Sequence, residues 1–244
     1  MAGKNYTKAD YDNLYWFNAE AEWGHPNTRG PVWLHYNYGV MAPNLAKRWD
    51  WIVPHVGMQS TDHVVVSGCG FGWGIERIVE LLPGINVVGL DISDYIIDNA
   101  DTTEEADINA AITAVGLDPN TGRGAQIKAK YLPPGRNRKA AGITLLQEDL
   151  STNQSKQRVR QALGNNWPNW VFTEDWMQDQ SAAEAASFAG DVALLEANGG
   201  TIVHLMSTDT DVSGFLTVDQ VAAATGQWVI HYGTEGIIRE VNAP

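Results

Sequence analysis

The sequence predicts an α/β fold: a seven-stranded, mostly parallel, doubly wound sheet with a C-terminal antiparallel hairpin, preceded by an aromatic-rich N-terminal helical cap. Three observations carry that expectation. From His63 onward, short β-branched runs alternate with helical patterns, the rhythm of a parallel sheet covered by helices on both faces. The last two apolar runs, Trp228–Tyr232 and Gly236–Val241, are separated only by Gly233-Thr234-Glu235. So short a link cannot join parallel strands, so the pair is an antiparallel hairpin. Residues 1–57 lack the alternation and hold five of the ten tryptophans: Trp16, Trp23, Trp33, Trp49 and Trp51.

Each element has its own signal. Residues 1–57 show helical spacing from Lys8 to Glu22 and from Pro43 to Ile52, so they are expected to form the cap, with the main domain over 58–244. Their aromatic side chains serve as packing, and some could wall a pocket. Val64-Val65-Val66 is a buried strand that runs into a glycine-rich turn, and Ile75, Ile78, Val79 and Leu82 follow at helical spacing. Asn86–Asp91 is a second strand, followed by a helix from Ser93 to Val115 with Ser93 as N-cap and Gly116 as stop. Residues 117–141 are Gly/Pro-rich and basic and read as a loop insertion. Gly142–Gln147 is the third strand and ends at Glu148-Asp149, and Lys156–Leu163 is helical. Trp170–Thr173 is the fourth strand and ends in Glu174-Asp175. The helix Ala182–Ala197 leads through Asn198-Gly199-Gly200 into the fifth strand, Thr201–Met206, and Val218–Thr225 is a short helix before the hairpin.

The composition narrows the functional classes. The chain has 244 residues, 44% hydrophobic and 18% charged, which is globular. No apolar run approaches the ~20 residues that span a bilayer, and the N-terminus has no signal-peptide core, so a soluble cytoplasmic protein without membrane contact is expected. The single cysteine excludes an intrachain disulfide and a multi-cysteine zinc site, and no metal site is expected. The net charge of −13 argues against general binding to phosphate backbones. Yet Pro119–Gln147 contains no acid and six bases: Arg123, Lys128, Lys130, Arg136, Arg138 and Lys139. They form either a solvated face that offsets the acidic stretch before it or a basic arm over an anionic substrate.

The turn Ser67-Gly68-Cys69-Gly70-Phe71-Gly72-Trp73-Gly74 carries the chemistry. Glycines between a strand and a helix let backbone approach a ligand and aim free N–H groups at it. Asp91 ends the next strand 23 residues after Gly68, where an acid can hold the two hydroxyls of a ribose. An adenosine-containing cofactor is the expected ligand. The dinucleotide fingerprint G-x-G-x-x-G fails: counted from Gly68 its third glycine is Trp73, and counted from Gly70 it is Ile75. A Walker phosphate loop also fails, because no Gly-Lys-Ser/Thr follows.

The pattern that remains resembles class I S-adenosylmethionine-dependent methyltransferases. Ser67–Gly72 resembles the first motif of that family, and Val87–Ser93 its second. Gln147–Leu150, Asn169–Asp175 and Leu194–Val203 are similar to the segments around its third, fourth and fifth strands. The resemblance spans about residues 60–241 and leaves the cap uncovered. It implies S-adenosylmethionine as cofactor and S-adenosylhomocysteine as product. It implies further that the backbone of Ser67, Gly68, Cys69, Gly70 and Gly72 passes against the methionine moiety. Asp91 would hold the ribose hydroxyls with Ile92 against the adenine face, while Asp149 and the Leu150 N–H would read the adenine edge. One position departs from the family: the acid two residues before the first glycine is Val66 here, so the methionine amine needs another partner, for which Glu174 is a candidate.

Glu174, Asp175 and His204, at the ends of strands four and five, are candidate general bases for an acceptor that loses a proton. His204 could equally be a core histidine, and Cys69 reads as packing rather than as a nucleophile. The Asp/Asn-Pro-Pro-Tyr/Phe and Pro-Cys signatures of DNA methylation are absent. A small-molecule or other non-DNA acceptor is therefore expected. The alternatives are RNA held by the 123–139 basic segment, or a cofactor-binding protein without transfer activity. The sequence leaves the oligomeric state open.

Overall fold

The computed structural model describes residues 46–70, 72–92, 109–110, 112–113, 116–131, 143–207, 215–233 and 235–244. Seven strands form one sheet: β1 (His63–Ser67), β2 (Asn86–Asp91), β3 (Thr144–Gln147), β4 (Trp170–Glu174), β5 (Thr201–Met206), β6 (Trp228–Gly233) and β7 (Gly236–Val241). Their order is β3-β2-β1-β4-β5-β6-β7. All neighbours are parallel except β6 and β7, which close the edge as an antiparallel hairpin with Gly233 opposite Gly236. The chain runs outward from β1 to β3 and then returns to β4 on the other side of β1. This reversal makes the β1/β4 boundary the switch point where open sheets hold ligands.

Alternation along the strands sorts the core into two layers. Val64, Val66, Phe172, Val203 and Leu205 face α1 (Trp49–Val56) and α2 (Trp73–Leu81), where Trp49, Ile52, Ile75 and Ile78 are buried. Val65, Leu90, Val171 and Ile202 face α4 (Asn153–Ala162), α5 (Ala182–Glu196) and α6 (Val218–Thr225) through Val159, Leu163, Phe188, Val192, Leu195 and Val221. Residues 1–45 of the expected cap, the Lys8–Glu22 helix among them, lie outside the described residues. The expected second helical stretch is visible as α1, and it belongs to the core of the sheet itself, with Trp49 edge-on to Phe172 at 5.0 Å. Most of the Ser93–Val115 helix lies outside the described residues as well.

The expected loop over 117–141 is corrected in its first half, where Gly122–Tyr131 forms a helix, α3. Its prolines, Pro119, Pro133 and Pro134, all fall outside that span. Between them the residues Ala125-Gln126-Ile127-Lys128-Ala129-Lys130 are good helix formers or tolerated in helices. Reading the window as a whole let the flanking prolines outweigh the helical centre. Helix starts elsewhere follow local chemistry: Ser181 and Glu184 form a capping box at α5, as do Thr217 and Gln220 at α6.

Candidate functional site

The glycine turn folds onto the end of β2. The N–H groups of Gly68 and Cys69 both donate to the Leu90 carbonyl, at 2.8 and 3.1 Å. The Gly70 N–H donates to Asp91 Oδ2 at 3.1 Å, so the acid that ends β2 also braces the turn. Gly68 and Gly70 have φ of 76° and 51°, a region that disfavours a side chain. Their surroundings differ. A β-carbon on Gly68 would lie 2.5 Å from Trp176 Cδ1, whereas one on Gly70 would meet nothing within 4 Å. The turn thus meets the Trp176 indole at Gly68, and Gly68 rather than Gly70 lies in the neighbouring cavity.

A cavity of about 340 Å³ opens at the C-terminal ends of β1, β2 and β3, walled by the segment after β4 and by α5. Small-molecule sites typically occupy about 300–1,000 Å³. Six residues singled out in the sequence line it together: Ser67, Gly68, Asp91, Ile92, Asp149 and Leu150. Sequence reasoning missed Glu148, Ser151, Trp176, Gln180, Glu184, Ser187, Phe188 and Asp191. One signal for α5 was present, because Glu184, Phe188 and Asp191 are spaced four and three apart and so share a helix face. Trp176 carried another, as a large aromatic just past the end of a strand at the ligand-binding edge.

Among the described residues the lining holds five carboxylates, Asp91, Glu148, Asp149, Glu184 and Asp191, and no Lys, Arg or His. Several are held in place. Glu148 accepts from Ser155 Oγ at 2.6 Å and pairs with Arg158, Asp149 Oδ1 accepts from the Ser151 N–H at 2.8 Å, and Glu184 caps Ser181. Cys69 is buried, its Sγ 3.4 Å from the Gly70 carbonyl, and Gly72 caps α2, so neither lines the cavity. Among the described residues no cluster of three or more His, Cys, Asp or Glu is arranged to hold a metal ion, and no helix is long and apolar enough to cross a membrane.

Glu174 and Asp175 lie outside that lining, in a buried network at the ends of β4 and β6. Arg48, at 2% exposure, sits 3.7 Å from Glu174 Oε1 and 2.9 Å from Asp175 Oδ2. The Tyr232 hydroxyl donates to Asp175 Oδ2 at 2.5 Å and is also bonded by Arg48, whose guanidinium lies over the Tyr232 ring. Asp175 has φ of 59°, which aims its carboxylate at Arg48 and lets Oδ1 accept the Ser207 N–H at 2.8 Å. Both its oxygens are thus engaged, the arrangement of a structural hub. Burial pushes the Glu174 carboxyl up to about 7, and the neighbouring Asp175 and Asp91 add to the rise. Arg48 and the Trp49 N–H pull it back only in part. For Arg48 the balance is opposite: burial favours its neutral form, but Glu174, Tyr232 and Asp175 raise its pKa more than burial lowers it.

His204 lies in the core with no exposure. Its Nδ1 meets Thr173 Oγ1 and its Nε2 meets Gln227 Oε1, each at 2.9 Å, and Gln227 reaches Glu196 at 3.0 Å. Burial lowers its pKa to about 4, so the ring is neutral with both nitrogens occupied. That geometry favours the core-histidine alternative over a general base.

Fold and cavity together define a doubly wound α/β protein with a carboxylate-rich cleft beside the switch point of its sheet. No family model and no curated protein matches the chain. Among solved structures it is similar to magnesium protoporphyrin IX methyltransferase from Synechocystis PCC 6803 with bound SAH, at 17% identity and a TM-score of 0.40. That match covers 76% of this chain and 65% of the other, so the chain spans less than two thirds of that structure. It is also similar to the cyclase SpnF, at 11% identity over 93% of this chain and 77% of the other, with a TM-score of 0.45. A short chain alcohol dehydrogenase from E. coli complexed with NADH is similar at 12% identity over 80% of this chain and 42% of the other, with a TM-score of 0.38. These likenesses concern the fold.

Proposed function

We propose that the protein is an S-adenosylmethionine-dependent methyltransferase acting on a small-molecule or other non-DNA acceptor. The observation that carries this reading is the charge of the cavity: among the described residues, five carboxylates and no Lys, Arg or His line it. A cofactor with sulfonium and ammonium cations and no phosphate suits that wall, whereas a dinucleotide pyrophosphate would meet charge of its own sign. The turn spacing points the same way, since the third dinucleotide glycine is missing.

The residues present fit the group. Asp91 and Ile92 at the end of β2, Asp149 and Leu150 at the end of β3, and Ser67 and Gly68 at the end of β1 share one cavity. Asp91 would hold the ribose hydroxyls while its Oδ2 keeps the Gly70 N–H. Asp149 and the Leu150 N–H would meet the adenine. Val66 is fully buried among apolar residues, so it offers the methionine amine nothing. Val66 pairs with Phe172, and Glu174 is two residues further along β4, on the same sheet face. A carboxyl group thus stands on the neighbouring strand, on the side where the family acid would have been. Its pKa of about 7 suits both an ammonium partner and a proton acceptor at neutral pH.

When bound, the cofactor supplies an electrophilic methyl: an acceptor lone pair bonds to that carbon as the S–CH3 bond breaks and its electron pair stays on sulfur. A proton lost by the acceptor would pass to water or to a carboxylate of the lining. Rigid placement is the main contribution asked of the protein, because alignment supplies much of the rate in such a displacement.

Calorimetry with S-adenosylmethionine, S-adenosylhomocysteine and NAD on the native protein and Asp91→Ala tests the reading. Both sulfur cofactors should bind the native protein, and Asp91→Ala should weaken them by about 1–3 kcal/mol. Tighter binding of NAD, or unchanged affinity in Asp91→Ala, overturns it. Cofactor binding without turnover on any acceptor would leave a binding protein in its place.

A further inference from the structure

We propose that Trp176 is a specificity-determining stopper: its indole closes the β1 end of the cavity, so the cleft admits an adenine nucleoside as it stands and an attached amino-acid chain only after the ring turns aside. The inference rests on the cofactor reading above and says which half of that cofactor the site resists. Asp149 and Leu150 follow β3, Asp91 and Ile92 end β2, and Ser67 and Gly68 end β1, in a sheet ordered β3-β2-β1-β4. A base at β3 and a ribose at β2 leave one direction for a chain on the 5′ carbon. It must run toward β1 and β4, one strand spacing of about 5 Å further on.

Trp176 stands in that direction. Its Nε1 donates to the Ser67 carbonyl at 3.1 Å, and its Cδ1 lies so close to Gly68 that a β-carbon there would be 2.5 Å away. Not even a methyl group fits between the turn and the indole. Phe188 of α5 backs the ring edge-on, at 5.2 Å and an 89° interplanar angle. Gly68 lines the cavity whereas Gly70 and Gly72 do not, so the open space ends where the indole begins. The ring is held by one hydrogen bond and by edge packing, and it can leave through its own side-chain torsions without moving β4. A ligand that needs the ring out binds only the fraction of molecules in which it is out, and its apparent dissociation constant rises accordingly. Loss of one net hydrogen bond sets that factor near tenfold. A nucleoside that ends at the 5′ substituent meets no such cost.

The test is calorimetry with two ligands, S-adenosylhomocysteine and 5′-methylthioadenosine, which shares the nucleoside and sulfur but lacks the amino-acid chain. Trp176→Ala should bind S-adenosylhomocysteine about tenfold more tightly than the native protein does, with the affinity for 5′-methylthioadenosine nearly unchanged. Trp176→Phe, which keeps a ring but loses the bond to Ser67, should tighten the first ligand by a smaller factor. Crystal structures of the native protein with each ligand need no variant to fold. The bond from Trp176 Nε1 to the Ser67 carbonyl should be broken with S-adenosylhomocysteine and kept with 5′-methylthioadenosine. S-adenosylhomocysteine bound with that bond intact, or bound no more tightly by a natively folded Trp176→Ala, overturns the stopper and leaves the cofactor reading standing. So does an equal gain for both ligands. If neither ligand binds the native protein, both fall.

Discussion

The indole Nε1 of Trp49 donates a 3.0 Å hydrogen bond to Oε1 of Glu174, across 125 residues of sequence, and ties α1 to the end of β4. The bond runs beneath the glycine turn. A β-carbon on Gly74 would lie 2.3 Å from that nitrogen and 2.8 Å from that oxygen, so the backbone of α2 is pressed against the pair.

Glu174 should leave a signature in stability against pH. Its folded pKa of about 7 lies above the ordinary 4.5, so between those values the folded state holds a proton that the unfolded chain has released. Its contribution is present in full below pH 4.5 and is lost as pH rises through 7. In Glu174→Gln that loss, on the order of 3 kcal/mol, should disappear from urea unfolding measured at pH 5 and pH 8. An unchanged stability slope would show that this carboxyl is not the titrating group.

His204 should act in the opposite sense. Its folded pKa of about 4 lies below the ordinary 6.5, so the unfolded chain takes up its proton first as pH falls. The stability it contributes is present above pH 6.5 and is lost toward pH 4. His204→Asn, which cannot titrate, should remove this share of the stability lost on acidification below pH 6.5. Between pH 4.5 and 6.5 the two groups oppose each other, so the native protein should look flatter than either variant. An acid limb unchanged in the variant would count against the buried neutral ring.

Arg48 compensates Glu174 and Asp175 together. Removing one partner of a buried ion network leaves charge unpaired and costs about 3–5 kcal/mol. Arg48→Met should show a loss of that size in chemical denaturation at pH 8, and a smaller one at pH 5, where Glu174 is already protonated. A loss under 1 kcal/mol at pH 8 would mean that water already solvates those carboxylates.

Gly68 and Gly70 should separate folding from binding. Gly70→Ala adds a methyl group to open space at φ 51°, so it should cost about 1 kcal/mol of stability, the usual penalty for left-handed backbone. Cofactor affinity should change little, because Gly70 does not line the cavity. Gly68→Ala strikes Trp176 at 2.5 Å and should lower both the melting temperature and the affinity. Equal melting temperatures for the two variants would contradict the close approach of the indole.

Much of the architecture was legible because its signals are local. The Thr201–Met206 strand, the Val218–Thr225 helix and the closing hairpin coincide with the runs that periodicity marks, since burial on both sheet faces leaves near-continuous apolar segments. The helix over Gly122–Tyr131 was missed because flanking prolines dominated the reading of its window. In the site, the glycine turn and Asp91 announced themselves by spacing after strands, and Asp149 came with the family resemblance. Arg48, Tyr232 and Trp176 did not, because nothing near them in sequence marks what they touch: Arg48 meets Asp175 127 residues away and Tyr232 184 away.

The sequence by itself determined most of the strand and helix succession, the closing antiparallel hairpin, and the absence of a dinucleotide fingerprint. These follow from backbone rules and side-chain periodicity, which act over a few residues. Only the tertiary structure decided which acids face the cleft and which are buried. Glu148 and Asp191 line a cavity, Asp175 is consumed by Arg48 and Tyr232, Glu174 is held near neutrality, and His204 is sealed in the core. A carboxylate or an imidazole acquires its chemistry from desolvation and from charges within a few ångströms, and those neighbours are gathered from strands and helices far apart in the chain.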